Sequence, residues 1–318
     1  MSYAIGVDLG GTNIKYALVH KTKGIEFQNS ISTQAEKGVD HIIDRIATGI
    51  KEMVEKASTP PIGVGLGSPG TISLDRKWVA NPPNFPGWEK VDMTTEIYKR
   101  TKLRALVDND ANLAALGSSR FGAGKAFDSF IMVTLGTGVG GGIILNRDLF
   151  RGASGGAGEF GHVTIDYHGP LSNSKVRGCI EAFLGQRFMS RFAAERIAQD
   201  VENPLFKRFH NLYDTLEPVH LFEAAEDGNE LAIEILHKAG EKLGYGIINY
   251  CHVLDINKVV VSGGVAKAGE YILEPARKTA LASLLPTFAE DFELIYEPLG
   301  NDAAILGAAS LAFEYLDK

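Results

Sequence analysis

Two apolar runs in this chain end in the same kind of turn. Ile5-Gly6-Val7-Asp8-Leu9 leads into Gly10-Gly11-Thr12, and Ile131-Met132-Val133-Thr134-Leu135 leads into Gly136-Thr137-Gly138. A second strand-like run follows each turn: Asn13–His20, where Ile14, Tyr16 and Leu18 alternate with Lys15 and Ala17, and Gly142–Leu145. Alternation with period two predicts strand, so the unit is strand–glycine turn–strand, met twice. Repetition of such a unit predicts two halves of like design facing each other across a cleft.

The rest of the chain fits that frame. Ile25–Thr33 reads as a third strand, and Val39–Ala57 carries apolar residues at helical spacing until Thr59-Pro60-Pro61 stops it. Ile62–Leu66 is a strand before the turn Gly67-Ser68-Pro69-Gly70, and Asn81–Trp88 is a proline-rich loop. A helix near Met93–Thr101 precedes the strand Leu103–Val107, and a helix over Ala111–Phe121 follows. Later come helical runs at Gly185–Phe209, Val219–Asp227 and Glu230–His252, a strand at Asn257–Val261, a helix at Ala268–Leu281, a strand at Phe292–Glu297 and a closing helix at Ala303–Leu316. Strand-rich and helix-rich runs alternate, which is α/β.

Composition narrows the function. A formal net charge of -7 argues against a general nucleic-acid binder. The two cysteines, Cys179 and Cys251, form no C-x-x-C pair, so a secreted disulfide framework is not expected. No basic and apolar leader precedes Tyr3, and no apolar run reaches ~18 residues. The expectation is a soluble cytoplasmic protein.

Glycine turns at strand ends let backbone N–H groups approach a phosphate, because no Cβ stands in the way. Asp8 just before the first turn is an oxygen donor suited to a hard cation such as Mg²⁺. Tight hairpins are the alternative reading of either turn alone. Gly136-x-Gly138-x-x-Gly141 also satisfies a dinucleotide fingerprint, but that fingerprint opens a helix, whereas a strand-like run follows here. No G-x-x-x-x-G-K-[S/T] is present, which excludes a P-loop. Val259–Ser262 followed by Gly263-Gly264 is a third strand–glycine junction, which could present backbone to a nucleoside or be a bare helix entry.

Polar candidates sit at the joints. Asn109 and Asp110 fall between a strand end and a helix start, so Asp110 is either an N-cap or a general base, with the helix start keeping it ionised. Glu159 and His162 lie in the glycine-rich loop Gly152–Gly161 and its end, and Glu181 opens a helix after a further loop, Gly169–Gly178. Singly these are bland; together they supply the donors and acceptors that a hydroxyl-rich ligand needs.

Taken together, Asp8–Thr12, Gly67–Gly70, Asn109–Asn112, Leu135–Gly142, Gly158–His162, Gly178–Glu181 and Gly263-Gly264 resemble the ROK family of repressors and sugar kinases, most of all its bacterial glucokinases. The resemblance implies a two-domain actin-like ATPase (ribonuclease H-like) fold with a cleft between domains: 1–115 plus 302–318 as a smaller α/β domain and 116–301 as a larger one. It implies ATP-dependent phosphorylation of the 6-hydroxyl of a hexose. Glucose comes first, with fructose, mannose, N-acetylglucosamine or N-acetylmannosamine as alternatives. A sugar-sensing regulator is the non-enzymatic alternative; such repressors carry an N-terminal helix-turn-helix domain, for which the Asp8 turn leaves no room. By position, Asp110 matches the catalytic base, and Gly70, Asn84, Asn109, Asp110, Glu159, His162 and Glu181 match sugar contacts. Asp8, Gly10, Gly11, Thr12, Thr137, Gly138, Gly263 and Gly264 match nucleotide contacts, with Mg²⁺ held by Asp8 through water. A homodimer or tetramer is implied, with no nucleic-acid or membrane partner.

One motif departs from the family pattern. The family's zinc ligands are a His, matched by His162, and three Cys, of which only Cys179 is present; Ser172 and Ser174 stand for the other two. Hydroxyls are poor zinc ligands beside thiolates, so no structural zinc is expected, with His168 as the substitute ligand to be tested.

Overall fold

The computed structural model describes residues 2–317. In chain order the elements are β1 (Tyr3–Leu9), β2 (Asn13–His20), β3 (Gly24–Ser32), α1 (Val39–Lys56), β4 (Val64–Ser68), β5 (Thr71–Ile72), β6 (Trp78–Ala80), β7 (Lys90–Asp92), α2 (Met93–Thr101), β8 (Ala105–Asn109) and α3 (Asp110–Phe121). There follow β9 (Phe130–Leu135), β10 (Val139–Leu145), β11 (Asp148–Phe150), α4 (Glu181–Leu184), α5 (Gln186–Ile197), α6 (Pro204–Phe209), α7 (Pro218–Glu226) and α8 (Glu230–Leu254). The chain closes with β12 (Lys258–Ser262), α9 (Glu270–Ser283), α10 (Pro286–Ala289), β13 (Glu293–Tyr296) and α11 (Asp302–Leu316).

The chain forms two compact units. The first takes residues 1–129, 142–158 and 301–318, and the second takes 130–141 and 159–300. A boundary at 115/116 falls inside α3, whose twelve residues are one continuous helix. The first of these units also includes 142–158, the residues after Gly141.

Each glycine turn belongs to a five-stranded sheet, and the two sheets have the same order. One runs β3-β2-β1-β4-β8, and the other runs β11-β10-β9-β12-β13. In the first, β1 is antiparallel to β2 and parallel to β4, and β4 is parallel to β8. In the second, β12 is parallel to both β9 and β13, and β10 is antiparallel to β11. The local repeat seen in the sequence is thus a repeat of topology, and the fold is the actin-like ATPase arrangement. A small sheet, β5-β6-β7, had no signature in the sequence because its strands are two or three residues long.

In the first unit α1 covers one side of the sheet with Ile42, Ile43, Ile46, Ile50 and Met53, all buried. The other side receives α11, a helix apolar nearly all round, as a fully covered helix should be. It approaches closely: a Cβ on Gly65 of β4 would lie 1.7 Å from the Ala308 carbonyl oxygen, and one on Gly307 would lie 1.7 Å from that of Leu113. Small residues are therefore required where α11 crosses β4 and α3. Among the described residues no helix is long and apolar enough to cross a membrane.

Candidate active site

In the first unit the candidate residues gather at the C-terminal ends of β1, β4 and β8. Parallel pairing sets Asp8 beside Gly67, and Gly67 beside Asp108. Ligands of open α/β sheets bind at such strand ends. The β1–β2 turn is braced from behind by Thr33, which is fully buried; its hydroxyl donates to the Gly10 carbonyl (2.7 Å) and its N–H to the Thr12 carbonyl (2.8 Å). Gly10 N–H closes the turn on the Asn13 carbonyl at 3.0 Å. Gly11 and Thr12 are exposed, and their N–H groups make no hydrogen bond among the described residues.

Asn109, not Asp110, is the N-cap of α3. Its side-chain oxygen accepts from the N–H groups of Ala111 (2.9 Å) and Asn112 (3.2 Å). Asp110 is the first helical residue, where its carboxylate receives the Ala111 N–H at 2.9 Å. The helix start does not keep this carboxyl in the ordinary range. Burial pushes its pKa up, and the hydrogen bonds from the backbone and from Asn109 only partly oppose that. The helix start thus does not act alone on this carboxyl: desolvation raises its pKa against the dipole. Asp8 is pushed up to about 6, first by burial and then by the negative charge of Asp110, with Lys15 across the hairpin opposing. Two acids within electrostatic reach, both resisting ionisation, are a functional signature.

Gly70 has a left-handed φ of 93°, and a Cβ there would lie 2.7 Å from Pro82 Cα, so the Gly67–Gly70 turn sits tightly on the proline-rich loop. That loop is anchored by the buried rings of Phe85 and Trp88, packed edge-on at 5.7 Å. It carries exposed Asn84 above the β1–β2 turn, 3.5 Å from where a Cβ on Gly11 would stand.

In the second unit the candidates gather around the β9–β10 hairpin. Gly136 N–H bonds to the Gly138 carbonyl (2.9 Å), and β10 begins at once with Val139. A strand, not a helix, follows the glycines, so the dinucleotide reading is not supported. Gly263 has a φ of 99°, and a Cβ there would lie 2.2 Å from the Leu135 carbonyl oxygen. The Gly263-Gly264 junction is thereby held against Leu135, the last residue before the Gly136–Gly138 turn. Glu181 joins this group: its Oε2 accepts the Val139 N–H at 3.3 Å and abuts the Cα of Gly138. A residue matched to sugar contact thus lies on the turn matched to nucleotide contact.

Glu159 is exposed, and His162 Nε2 lies 3.7 Å from its carboxylate. The segment bearing them packs on β10: a Cβ on Gly161 would lie 2.1 Å from the Val139 carbonyl oxygen. From the other side Tyr250 of α8, itself buried, donates its hydroxyl to the Phe160 carbonyl at 2.7 Å and lays its ring on Phe160 at 4.3 Å. Sequence reasoning missed Tyr250 because it sits in the apolar stripe of a long helix, where its partner is invisible.

The donor set at His162 does not fit zinc. Ser174 Oγ bonds to His162 Nδ1 (3.2 Å) and to Ser172 Oγ (2.8 Å), and Ser172 Oγ also accepts the Val176 N–H (3.3 Å). The buried Cys179 thiol contacts the Val176 carbonyl at 3.7 Å. Two hydroxyls bonded to one another, one imidazole and one thiol are not a tetrahedral zinc set. His168 is exposed and lies against the Tyr167 ring. Among the described residues no cluster of three or more His, Cys, Asp or Glu is placed to hold a metal.

This geometry belongs with a known family. The chain matches the ROK family over residues 4–314, and it belongs to that family. It is 36% identical to a glucokinase of Thermotoga maritima over 310 residues, covering 98% of this chain and 97% of that one. It superposes with a TM-score of 0.84 on a ROK family glucokinase from Streptomyces griseus in complex with glucose and AMPPNP, at 32% identity, covering 98% of this chain and 100% of that one. It is also 28% identical to the xylose repressor of Bacillus subtilis, covering 98% of this chain and 77% of the repressor.

Proposed function

We propose that this protein is an ATP-dependent hexose kinase that phosphorylates the 6-hydroxyl of an aldohexose, with glucose as the leading substrate. The observation that carries the reading is Asp110. Its neighbour Asn109 takes the capping role, so the Asp110 carboxylate is left for chemistry, and burial raises its basicity above that of an ordinary aspartate. A general base of raised pKa takes the proton of the attacking hydroxyl more readily, and phosphoryl transfer otherwise depends on positioning and charge stabilisation.

The other roles are those that the resemblance to the family implies by position. Asn109, Asn84 and Gly70 contact the sugar in the first unit, and Glu159, His162 and Glu181 in the second. The exposed N–H groups of Gly11 and Thr12, with Thr137, Gly138, Gly263 and Gly264, bind phosphates and nucleoside. Asp8 fits a hard divalent cation: its carboxylate is held up by burial and by Asp110, and a cation relieves both. It would hold Mg²⁺ through water, and that ion neutralises phosphate charge when bound.

A sugar-sensing regulator is the second reading, favoured by the similarity to the xylose repressor. A coupled ADP-release assay over glucose, mannose, fructose, N-acetylglucosamine and N-acetylmannosamine separates the two. A regulator binds a sugar and releases no ADP. In a kinase, Asp110→Ala is expected to lower kcat by about 10²–10⁴-fold while sugar binding persists. Near-normal turnover of that variant removes Asp110 from the base role.

A further inference from the structure

We propose that Asp108 is the positioning residue that fixes Asn109 and Asp110 for the reaction, an inference that rests on the kinase reading above. Asp108 is the last fully buried residue of β8, and both oxygens of its carboxylate are engaged. Oδ1 receives the backbone N–H of Asn109 at 2.9 Å and the Nδ2 of Asn112 at 3.1 Å. These two donors bracket Asp110 in sequence, one residue before and two after. The same carboxylate therefore ties the end of the strand to the first turn of the helix, and Asp110 is carried on the backbone between the ties.

The other oxygen is anchored to two arginines. Arg76 Nε donates to Oδ2 at 2.8 Å, and Arg151 Nε lies 3.0 Å from it as an ion pair without hydrogen-bond geometry. Arg76 is held in turn: its carbonyl accepts the Val107 N–H at 2.9 Å, and its guanidinium lies over the Tyr315 ring at 4.4 Å. Arg151 spends its remaining nitrogens on the carbonyls of Leu74 (2.7 Å) and Ser73 (3.0 Å), in the turn between β5 and β6. Two guanidiniums on one carboxylate leave an excess of buried positive charge, an expensive arrangement where apolar residues would pack. A cluster of this cost that grips both sides of one functional residue fits positioning better than bulk stability. It also links the Asp110 segment to the small sheet β5-β6-β7, which flanks the loop bearing Asn84.

A displacement near 1 Å at a reacting group costs on the order of 10²-fold in rate, so loosening this grip should be read in kcat. The test uses the full chain, with kcat per folded molecule from hexose-dependent ADP release well below the melting temperature, and sugar Kd from calorimetry. Asp108→Asn is expected to lower kcat by about 10- to 100-fold, with sugar Kd raised by a clearly smaller factor, since Asn109 is a sugar contact as well. Asn112→Ala removes one tie and leaves both ion pairs; it is expected to lower kcat several-fold and carries the test if Asp108→Asn does not fold. Arg151→Lys, which keeps the charge but not the fork to Ser73 and Leu74, is expected to fall between. A lower melting temperature with kcat within about two-fold of the parent in the folding variants overturns the proposal and leaves Asp108 a buried ion pair. A parent chain that releases no ADP with any hexose refutes the kinase reading itself, and this role with it.

Discussion

Asp8 should destabilise the protein that depends on it. Its pKa rises from 3.8 to about 6 in the folded state, because burial and the charge of Asp110 disfavour the carboxylate. The folded chain thus keeps a proton that the unfolded chain has already released as pH rises above 3.8. Stability falls as pH rises through the window between those values, and the full penalty is present above it. A shift of this size corresponds to about 3 kcal/mol, and the partial exposure of Asp8 reduces the expected penalty to ~1–2 kcal/mol. Asp8→Asn removes the charge and keeps the shape. In urea unfolding with a chelator present, the variant is expected to be more stable than the parent by ~1–2 kcal/mol at about pH 7, and the gain should shrink towards zero near pH 4. Its ADP release is expected to collapse, the stability–function trade-off of a site tuned for chemistry. A variant less stable than the parent at neutral pH, or a gain independent of pH, would refute the electrostatic reasoning.

Three further outcomes are expected. Tyr250→Phe keeps the ring on Phe160 and removes one of the two hydrogen bonds to its carbonyl, the Val163 N–H at 3.2 Å remaining, at about 0.5–1.5 kcal/mol; sugar Kd should rise with little change in kcat, and an unchanged Kd means that Tyr250 does not order the Glu159–His162 segment. Metal analysis of purified protein is expected to find no stoichiometric zinc, whereas the double substitution Ser172→Cys with Ser174→Cys should create a Cys₃His site that takes up one zinc; stoichiometric zinc in the parent overturns the hydroxyl account. Glu181→Gln removes a negative charge from the Gly136–Gly138 turn and should tighten binding of a non-hydrolysable ATP analogue several-fold without sugar, and unaltered nucleotide affinity refutes that placement.

The sequence alone determined the elements that depend on local pattern. Alternating residues in Asn13–His20 and helical spacing in Val39–Lys56 specify strand and helix whatever surrounds them. Glycines after Leu9 and Leu135 mark backbone that must turn without a Cβ, and so mark both candidate phosphate turns. Serines in place of the thiols at 172 and 174 already argued against zinc, since ligand chemistry belongs to the residue type. Only tertiary structure decided which of Asn109 and Asp110 caps α3, because either can fill that role by type. Only it showed that burial raises Asp110 against the helix dipole, that Asp108 meets Arg76 and Arg151, and that Tyr250 holds Phe160. Those facts rest on desolvation and on contacts between residues tens of positions apart, and neither quantity has a signature in the local order of the chain.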